Sequence, residues 1–153
     1  MNIIKSVIIT DLGDSMKNYS KQREAILTVL RKTDTHPTAN WIYEQVREII
    51  PNISLGTVYR NLSELSQNGS ILSLNIGDGF EHFDYDTSAH GHLHCKTCGC
   101  ITDVRLESDL LTRLSENVGF FPETTIYLAY GICQKCNKIK NIKKIKLLEE
   151  IKK

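Results

Sequence analysis

The stretch SLGTVYRNLSELSQNGSILSLNIGDGFEHFDYD, residues 54–86, changes its hydrophobic period halfway along. In the first half, apolar residues recur three and four positions apart, as on one face of an α-helix, at Leu55, Val58, Leu62 and Leu65. Ser54 is a favourable N-cap, and Asn68-Gly69 is a typical helix stop. After Gly69 the period is two, and two such segments flank Gly77-Asp78-Gly79. This half therefore predicts a β-hairpin.

Two further helices are predicted upstream of this stretch. The first begins at Ser20 and has an apolar stripe of Ala25, Ile26, Val29 and Leu30. Pro37 interrupts the helical pattern where the chain enters a second helix over residues 38–50. Three helices followed by a hairpin indicate a winged helix–turn–helix, although an ordinary helical bundle has the same helical pattern.

The second half of the chain mixes strands and helices. We predict a strand pair around Cys95–Val104, a helix over Ser108–Val118 and a strand in TTIYLAYGIC, residues 124–133. The tail Lys138–Lys153 is lysine-rich, with apolar residues at helical spacing, and is typical of a solvated amphipathic helix. Residues 1–15 follow no periodic pattern and are interpreted as an N-terminal extension.

Composition limits the possible classes of protein. The chain has 153 residues, a net charge of +1 and 24% charged residues, as in ordinary globular proteins, so any basic surface must be local. No apolar run approaches the roughly 20 residues that a membrane helix needs. The first residues lack a long apolar region and a cleavage site, so we expect no secretory signal and a cytoplasmic protein. Thiols there stay reduced, which favours metal binding over disulfides.

Four of the five cysteines form two C-x-x-C pairs, Cys95/Cys98 and Cys133/Cys136. Each pair bends the chain into a turn that aims two thiolates at one point, and two such turns make a closed tetrahedral site for structural zinc. The alternative is a set of buried apolar cysteines, which two matched pairs make improbable. Cys100 is left over and is interpreted as an inert small side chain, with a position near the metal as the alternative.

Histidines and aspartates form a second concentration of metal-binding side chains. His90, His92 and His94 alternate, as do His82, Asp84 and Asp86, while His36 and Asp103 stand apart. Alternate residues of a strand share one face, so these side chains can meet at a nitrogen–oxygen site. Such donors suit Fe(II), Mn(II), Zn(II) or Ni(II). Taken singly, each residue is better explained as a solvated polar side chain on a strand surface.

The third predicted helix has a polar outer face near its start, made of Gly56, Thr57, Tyr59, Arg60 and Asn61. In helix–turn–helix proteins this part of the second motif helix enters the major groove. Basic residues suited to phosphate contacts concentrate near the first helix at Lys17, Lys21, Arg23, Arg31 and Lys32. We expect DNA contacts from Lys17, Arg23, Ser54, Gly56, Thr57, Tyr59, Arg60 and Asn61.

Four segments, HPTANWIYEQV, PNISLGTVYRNL, HFDYDTSAHGHLHCKTCG and YGICQKC, resemble in order and spacing those of the ferric uptake regulator (Fur) family of metal-dependent repressors. The resemblance runs from about Lys17 to Cys136. It implies an α+β fold, with an N-terminal winged helix–turn–helix domain and a C-terminal α/β dimerisation domain. We then expect an extension at 1–15, the DNA-binding domain at 16–85, a hinge at 86–90 and the dimerisation and zinc-binding domain at 91–153.

Within the family, the sequence is most similar to the peroxide-sensing branch. That resemblance implies a regulatory Fe(II) or Mn(II) site made of His36, Asp84, His90, His92 and Asp103. Iron- and zinc-sensing branches usually have a glutamate at the position of Asp103. In the iron-sensing members that the sequence resembles, a histidine near the position of Thr124–Thr125 commonly serves an additional metal site. This chain has no histidine there, so we expect no third metal site. His82 and His94 are additional nitrogen donors that leave the ligand set open.

These observations predict a homodimeric, metal-dependent repressor that binds a double-stranded DNA operator and senses peroxide. One ion held by ligands from both domains would fix the separation of the two recognition helices, and losing it would release the operator. We expect no enzymatic activity, small-molecule substrate or membrane partner. The alternatives are an iron- or zinc-sensing repressor of the same family without a peroxide response, and a metalloenzyme using the histidine–aspartate site.

Overall fold

A computed structural model of the protein describes residues 21–106, 115–119 and 126–140. The chain divides into two compact units, Met1–Thr87 and Ser88–Lys153. The boundary lies inside the segment 86–90 for which a hinge is predicted. Among the described residues, none of the helices has the length and apolar character that crossing a membrane requires.

Three helices form most of the first unit. Helix α1 occupies residues 21–30, α2 is Ala39–Arg47 and α3 is Leu55–Gln67. Thr38 caps α2 by accepting from the backbone N–H of Trp41, and Ser54 caps α3 by accepting from that of Thr57. After the C-cap Asn68, Gly69 has a φ of +73°, which glycine adopts without steric cost. Both ends predicted for the third helix are therefore confirmed.

The predicted apolar stripes meet in one core. Its members come from all three helices and from the segment after them: Ala25, Ile26, Val29, Leu30, Ala39, Ile42, Val46, Ile53, Val58, Leu62, Leu65, Ile71 and Phe83. Burying one large side chain of this kind contributes roughly 1.5–3 kcal/mol before entropy is counted. Packing of amphipathic helices against one another therefore stabilises the first unit.

The predicted hairpin completes the first unit. Strands β1 (Leu72–Asn75) and β2 (Glu81–Asp84) pair antiparallel. The hairpin also contacts the chain before α2. The backbone N–H of Phe83 donates to the Pro37 carbonyl over 3.0 Å, and Thr38 forms an isolated antiparallel β-bridge with His82. Three helices with this hairpin are a winged helix–turn–helix, which replaces the alternative of an ordinary bundle.

The second unit contains a three-stranded sheet. Central strand β3 (Gly91–Cys95) pairs antiparallel with β4 (Ile101–Val104) and parallel with β5 (Tyr127–Gly131). A Cβ atom at Gly91 would lie 3.1 Å from Val104 Cγ1 and 3.3 Å from Tyr127 Cβ, so a side chain there would require these neighbours on both outer strands to give way by a few tenths of an ångström. Residues 115–118 and 134–140 are helical.

Several predictions lie outside the described residues. They are the extension at 1–15, the DNA contact of Lys17, the cap at Ser20, most of the helix over Ser108–Val118 and the tail beyond residue 140.

Candidate metal centres and DNA-facing helix

The four paired cysteines converge in the second unit. One sulfur atom from each of Cys95, Cys98, Cys133 and Cys136 lies within 4.8 Å of the others. The Cys98 and Cys133 sulfurs are 3.8 Å apart. Zinc–thiolate bonds of about 2.3 Å place the sulfurs of a tetrahedron about 3.8 Å apart, so this donor set fits zinc.

Backbone groups of the two turns aim the thiols. The first turn follows β3, where the N–H of Gly99 donates to the Cys95 carbonyl over 2.8 Å. The second turn precedes the helical residues 134–140, and the N–H of Cys133 donates to the Cys95 sulfur over 3.2 Å. The N–H of Lys96 donates to the Gly131 carbonyl over 2.9 Å, which ties the first turn to the end of β5.

These contacts shift the pKa values of the thiols in opposite directions. Hydrogen bonds from the backbone N–H groups of Cys133 and then Cys98 lower the pKa of Cys95 to about 5. The backbone N–H of Cys100 likewise lowers the pKa of Cys98, whereas a hydrogen bond with Cys98 raises the pKa of Cys136 to about 12. Because a metal binds thiolates, Cys95 and Cys98 are the ligands prepared in advance.

Cys100 lies beside this group without belonging to it. Hydrogen bonding with Cys98 is the main cause that raises the pKa of Cys100 to about 12. Its side chain is exposed, and it is not one of the four converging cysteines. The alternative of a thiol near the cluster therefore describes it better than an unrelated small side chain.

The first unit brings two of the predicted regulatory ligands together. His36 Nε2 lies 3.4 Å from Asp84 Oδ2, and both side chains are largely shielded from solvent. His36 precedes Pro37 and α2, while Asp84 ends β2. The pairing of β2 with the Pro37–Thr38 segment explains why residues so distant in sequence meet.

The second unit brings the other three together. His92 and Asp103 are cross-strand partners on β3 and β4, and His90 immediately precedes β3. The Nε2 atoms of His90 and His92 are 2.9 Å apart, and Asp103 Oδ1 lies 3.7 Å and 3.6 Å from them. His90 Nδ1 donates to the Ser88 carbonyl over 2.8 Å, so in the neutral ring Nε2 keeps its lone pair for a metal.

The two additional histidines belong to neither group. His82 contacts the His36 carbonyl through Nδ1 and Asp78 through Nε2, which engages both ring nitrogens in the first unit. His94 stands edge-on to Tyr130, with ring centres 5.6 Å apart, although it shares the alternation of His90 and His92. Both histidines therefore lie outside the two groups formed by the five predicted regulatory ligands.

Helix α3 presents part of the predicted DNA-facing surface. Gly56, Tyr59 and Arg60 are exposed, while Thr57 is half-buried and its hydroxyl bonds that of Ser54 over 2.9 Å. The prediction that Asn61 faces outward is wrong, because it is fully buried and its side-chain amide donates to the Thr57 carbonyl over 2.9 Å. Its position, three residues after the buried Val58, was the signal for the inner face.

Arg23, predicted to contact DNA phosphates, has a structural contact as well. Its guanidinium lies 3.5 Å from the Glu64 carboxylate, and both side chains are partly exposed. The ion pair joins α1 to α3. A role in setting the position of α3 was not predicted, since nothing in the periodicity of either helix indicates it.

The chain is similar in sequence to known repressors. The sequence profile of the ferric uptake regulator family matches residues 15–125. The peroxide-responsive repressor PerR of Staphylococcus aureus is 35% identical over 130 residues, which cover 84% of this chain and 88% of that protein.

Solved structures give the same grouping. The Campylobacter jejuni peroxide stress regulator superposes with a TM-score of 0.71 at 26% identity, covering 89% of this chain and 100% of that one. The Helicobacter pylori ferric uptake regulator Fur superposes with a TM-score of 0.67 at 24% identity, covering 86% of this chain and 93% of that one. A zinc uptake regulator complexed with zinc and DNA superposes with a TM-score of 0.61 at 19% identity, covering 92% of this chain and 99% of that one. The last two likenesses concern the fold.

Proposed function

Since the chain belongs to the ferric uptake regulator family, we propose that it is a dimeric, metal-dependent transcriptional repressor that responds to peroxide. The observation that carries this proposal is that each unit brings together part of a nitrogen–oxygen donor set. The first unit supplies His36 and Asp84, and the second supplies His90, His92 and Asp103. We expect the protein to act in the cytoplasm, where operator DNA is found.

The count of donors supports one ion shared by both groups. Two donors from the first unit are too few to hold a transition metal by themselves. The second group, two histidines and one carboxylate, is the donor set of many non-haem Fe(II) sites and leaves several positions open. Five donors together would nearly fill a six-coordinate shell. We therefore propose His36, Asp84, His90, His92 and Asp103 as the regulatory ligands.

A shared ion would couple metal binding to DNA binding. We propose that the first unit binds DNA and the second forms the dimer, with residues 86–90 as the hinge between them. In a two-fold dimer the separation of the two α3 helices must match half-sites that face the same way on the duplex. The ion favours that arrangement only as far as it binds more tightly when both units supply ligands than when one unit does.

The chain's own groups determine the peroxide response. Bound Fe(II) would supply the electrons that reduce peroxide, whereas Mn(II) would fill the same donors without doing so readily. The imidazoles of His36 and His90 are the expected targets because they are ligands. Peroxide would transfer one oxygen atom to the imidazole, and its other oxygen would leave as water. Oxygen on a ring nitrogen uses the lone pair that would bind the metal, and oxygen on a ring carbon draws the nitrogen lone pairs into conjugation with the new carbonyl group, so either product is a poorer ligand. The two units would then no longer share the ion, and the operator would be released.

The cysteine cluster has a different role in this proposal. Zinc held by Cys95, Cys98, Cys133 and Cys136 would have no open position, so it would stabilise the second unit without taking part in chemistry. The separation of the cysteine sulfurs, together with the lowered pKa of Cys95, supports this assignment.

Contacts with DNA are proposed for the exposed side of α3. Tyr59 is 46% exposed, and Arg60 and Gly56 lie beside it near the start of the helix. Arginine reads guanine edges with two hydrogen bonds, and a glycine, which has no side chain, lets the backbone approach the groove. Ser54, Thr57, Arg23 and Lys17 are proposed as phosphate contacts around this helix.

A mobility-shift titration tests the proposal. A DNA fragment selected from a random library on the Mn(II)-loaded protein serves as the operator, and binding is measured with Mn(II), Fe(II), Zn(II) or Ni(II), with and without dilute peroxide. We expect metal-dependent binding, with peroxide releasing only the Fe(II) protein. Metal-dependent binding that resists peroxide would support an iron- or zinc-sensing repressor instead, and binding that ignores metal would contradict both.

A Tyr59→Ala variant tests the DNA-facing surface separately. We expect operator binding to weaken by roughly 1–3 kcal/mol for each interaction with a base edge that the substitution removes. Metal content should be unchanged, because Tyr59 is on the exposed side of α3 and is not one of the proposed ligands. A matched Gln67→Ala variant, at the exposed far end of the same helix, should bind the operator like the wild type. Unchanged operator affinity in Tyr59→Ala would mean that another surface reads the DNA.

A further inference from the structure

His82 of β2 makes two contacts that link the turn of the hairpin to a candidate metal ligand. Its Nδ1 lies 2.7 Å from the backbone carbonyl oxygen of His36, which can only accept, so Nδ1 donates. Its Nε2 lies 2.9 Å from Asp78 Oδ2. The side chain is 12% exposed, so the imidazole is fixed between the two partners rather than solvated.

The His36 backbone needs such support. Its φ is +52°, and among the described residues it is the one non-glycine residue with a positive φ. A side chain in this left-handed region is unfavourable, so the surroundings must hold the residue there. This conformation orients the His36 side chain toward Asp84 while the next residues continue along β2.

Support from β2 reaches the segment that begins at the His36 carbonyl. After His36, the Pro37 carbonyl accepts from the Phe83 N–H, and Thr38 bridges His82. At His36 itself, the carbonyl accepts from the His82 ring. Of these contacts with β2, the bond from the His82 ring is the one nearest the left-handed residue.

Asp78 fixes the His82 ring in turn. One carboxylate oxygen accepts from the backbone N–H of Phe80 over 3.0 Å and the other faces His82 Nε2. The hydrogen bond with His82 is also the main cause that lowers the pKa of Asp78. Asp78 therefore joins the turn of the hairpin, the His82 ring and the His36 backbone in one chain of contacts.

We propose that Asp78 and His82 are positioning residues that hold His36 in the conformation a regulatory metal requires. The inference rests on the proposed role of His36 as a ligand, and it assigns His82 a role other than that of an additional ligand. Losing a supporting hydrogen bond of this kind typically weakens metal binding by about 10–100-fold.

The test measures Mn(II) affinity by calorimetry on the full-length, zinc-loaded protein. His82→Leu removes both contacts, and we expect Mn(II) to bind about 10–100-fold more weakly. His82→Asn keeps a donor at the position of Nδ1 but loses the contact with Asp78, so its affinity should lie between that of His82→Leu and that of the wild type. Zinc content and melting temperature accompany each measurement, so that a general loss of folding is recognised.

Two variants at the turn complete the test. Asp78→Ala should also weaken Mn(II) binding, as His82→Leu does. Because the Asp78 side chain is partly exposed, its removal disturbs the fold less, so this variant replaces His82→Leu if the latter does not fold. Glu81→Ala is the matched control, since Glu81 bonds Ser73 across the same hairpin without reaching His36. That control should bind Mn(II) like the wild type.

The outcomes separate this inference from the proposed function. Wild-type Mn(II) affinity in both His82→Leu and Asp78→Ala would overturn the positioning role, as would equally weak binding by His82→Asn and His82→Leu, which would make the imidazole itself a ligand. Wild-type affinity in His36→Ala would instead overturn the role of His36 in the proposed function.

Discussion

The cysteine cluster takes all four of its candidate ligands from one unit, whereas the histidine and aspartate groups divide theirs between two. The cysteines lie at the end of β3, on the turn after it, and at and just before the start of the helical residues 134–140, and the backbone N–H of Cys133 donates to the Cys95 sulfur. His36 and Asp84 belong to the first unit, and the remaining three candidates belong to the second. A metal in the cluster can therefore stabilise a fold, while a metal that uses both groups can report on how the units are arranged.

The two kinds of group also differ in how their donors are oriented. Cys95 is hydrogen-bonded by backbone N–H groups a few residues away or on the adjoining turn. His36 depends on a side chain 46 positions away, because His82 holds its carbonyl. The Cys95 thiol is thus oriented by backbone groups, whereas the His36 carbonyl accepts from a side chain, which a single substitution can remove.

The largest expected effect is the disruption of the cysteine cluster. Cys98→Ser should lose zinc and with it the dimer, because structural zinc supplies about 10–16 kcal/mol of apparent folding free energy. That exceeds or matches the usual net stability of a whole domain, about 5–15 kcal/mol. Mass spectrometry measures the zinc content of the variant, and sedimentation velocity measures its oligomeric state.

Cys100→Ser is the control for this variant. Cys100 adjoins Cys98 but is not one of the four converging cysteines, so the variant should keep its zinc and remain dimeric. A fully folded, zinc-free dimer of Cys98→Ser would refute the structural role of the cluster.

The next effect in size concerns ligands in different units. His36→Ala and His90→Ala should each weaken Mn(II) binding by more than the roughly 10–100-fold that loss of a supporting hydrogen bond causes. Both variants should retain zinc, since neither touches the cysteines. Calorimetry with Mn(II) and a zinc assay on the same samples measure this. If only His90→Ala weakened binding, the second group would hold its metal alone and the contrast between the two kinds of site would disappear.

A smaller effect is expected at Asp103. Asp103→Glu keeps a carboxylate but lengthens its side chain by one methylene group, which changes how it meets the imidazoles of His90 and His92. We expect metal-dependent DNA binding to persist and oxidation by peroxide to slow. Rates of operator release from the Fe(II) protein measure the difference, with the Mn(II) protein as the unreactive reference. Equal rates in Asp103→Glu and wild type would show that carboxylate length does not control the response.

Much of the first unit could be predicted from local pattern. The stripes of α1, α2 and α3 follow the helical period, and Ser54 and Gly69 mark the ends of α3, because caps and apolar faces are properties of neighbouring residues. Asn61 was misassigned because its polarity suggested exposure, whereas its amide is satisfied inside by the Thr57 carbonyl.

Contacts between distant residues could not be predicted in the same way. The two C-x-x-C pairs indicated one cluster, since their chemistry requires a common point. Nothing local indicated that His82 would contact His36 and Asp78, or that β3 would pair in parallel with β5. Those contacts depend on how strands and turns pack, and for His82 the sequence offered only its ability to bind a metal.

The central claim is that one ion takes ligands from both units, and oxidation of the Fe(II) protein by dilute peroxide tests it most directly. Tandem mass spectrometry of tryptic peptides 33–47 and 61–96 locates added oxygen at His36 in one and at His90 in the other. We predict the mass of one oxygen atom on both peptides in the population, no addition in the Mn(II) protein, and release from the operator. Intact histidines on a protein that stays bound to its operator, or oxidation confined to one unit, would contradict the claim.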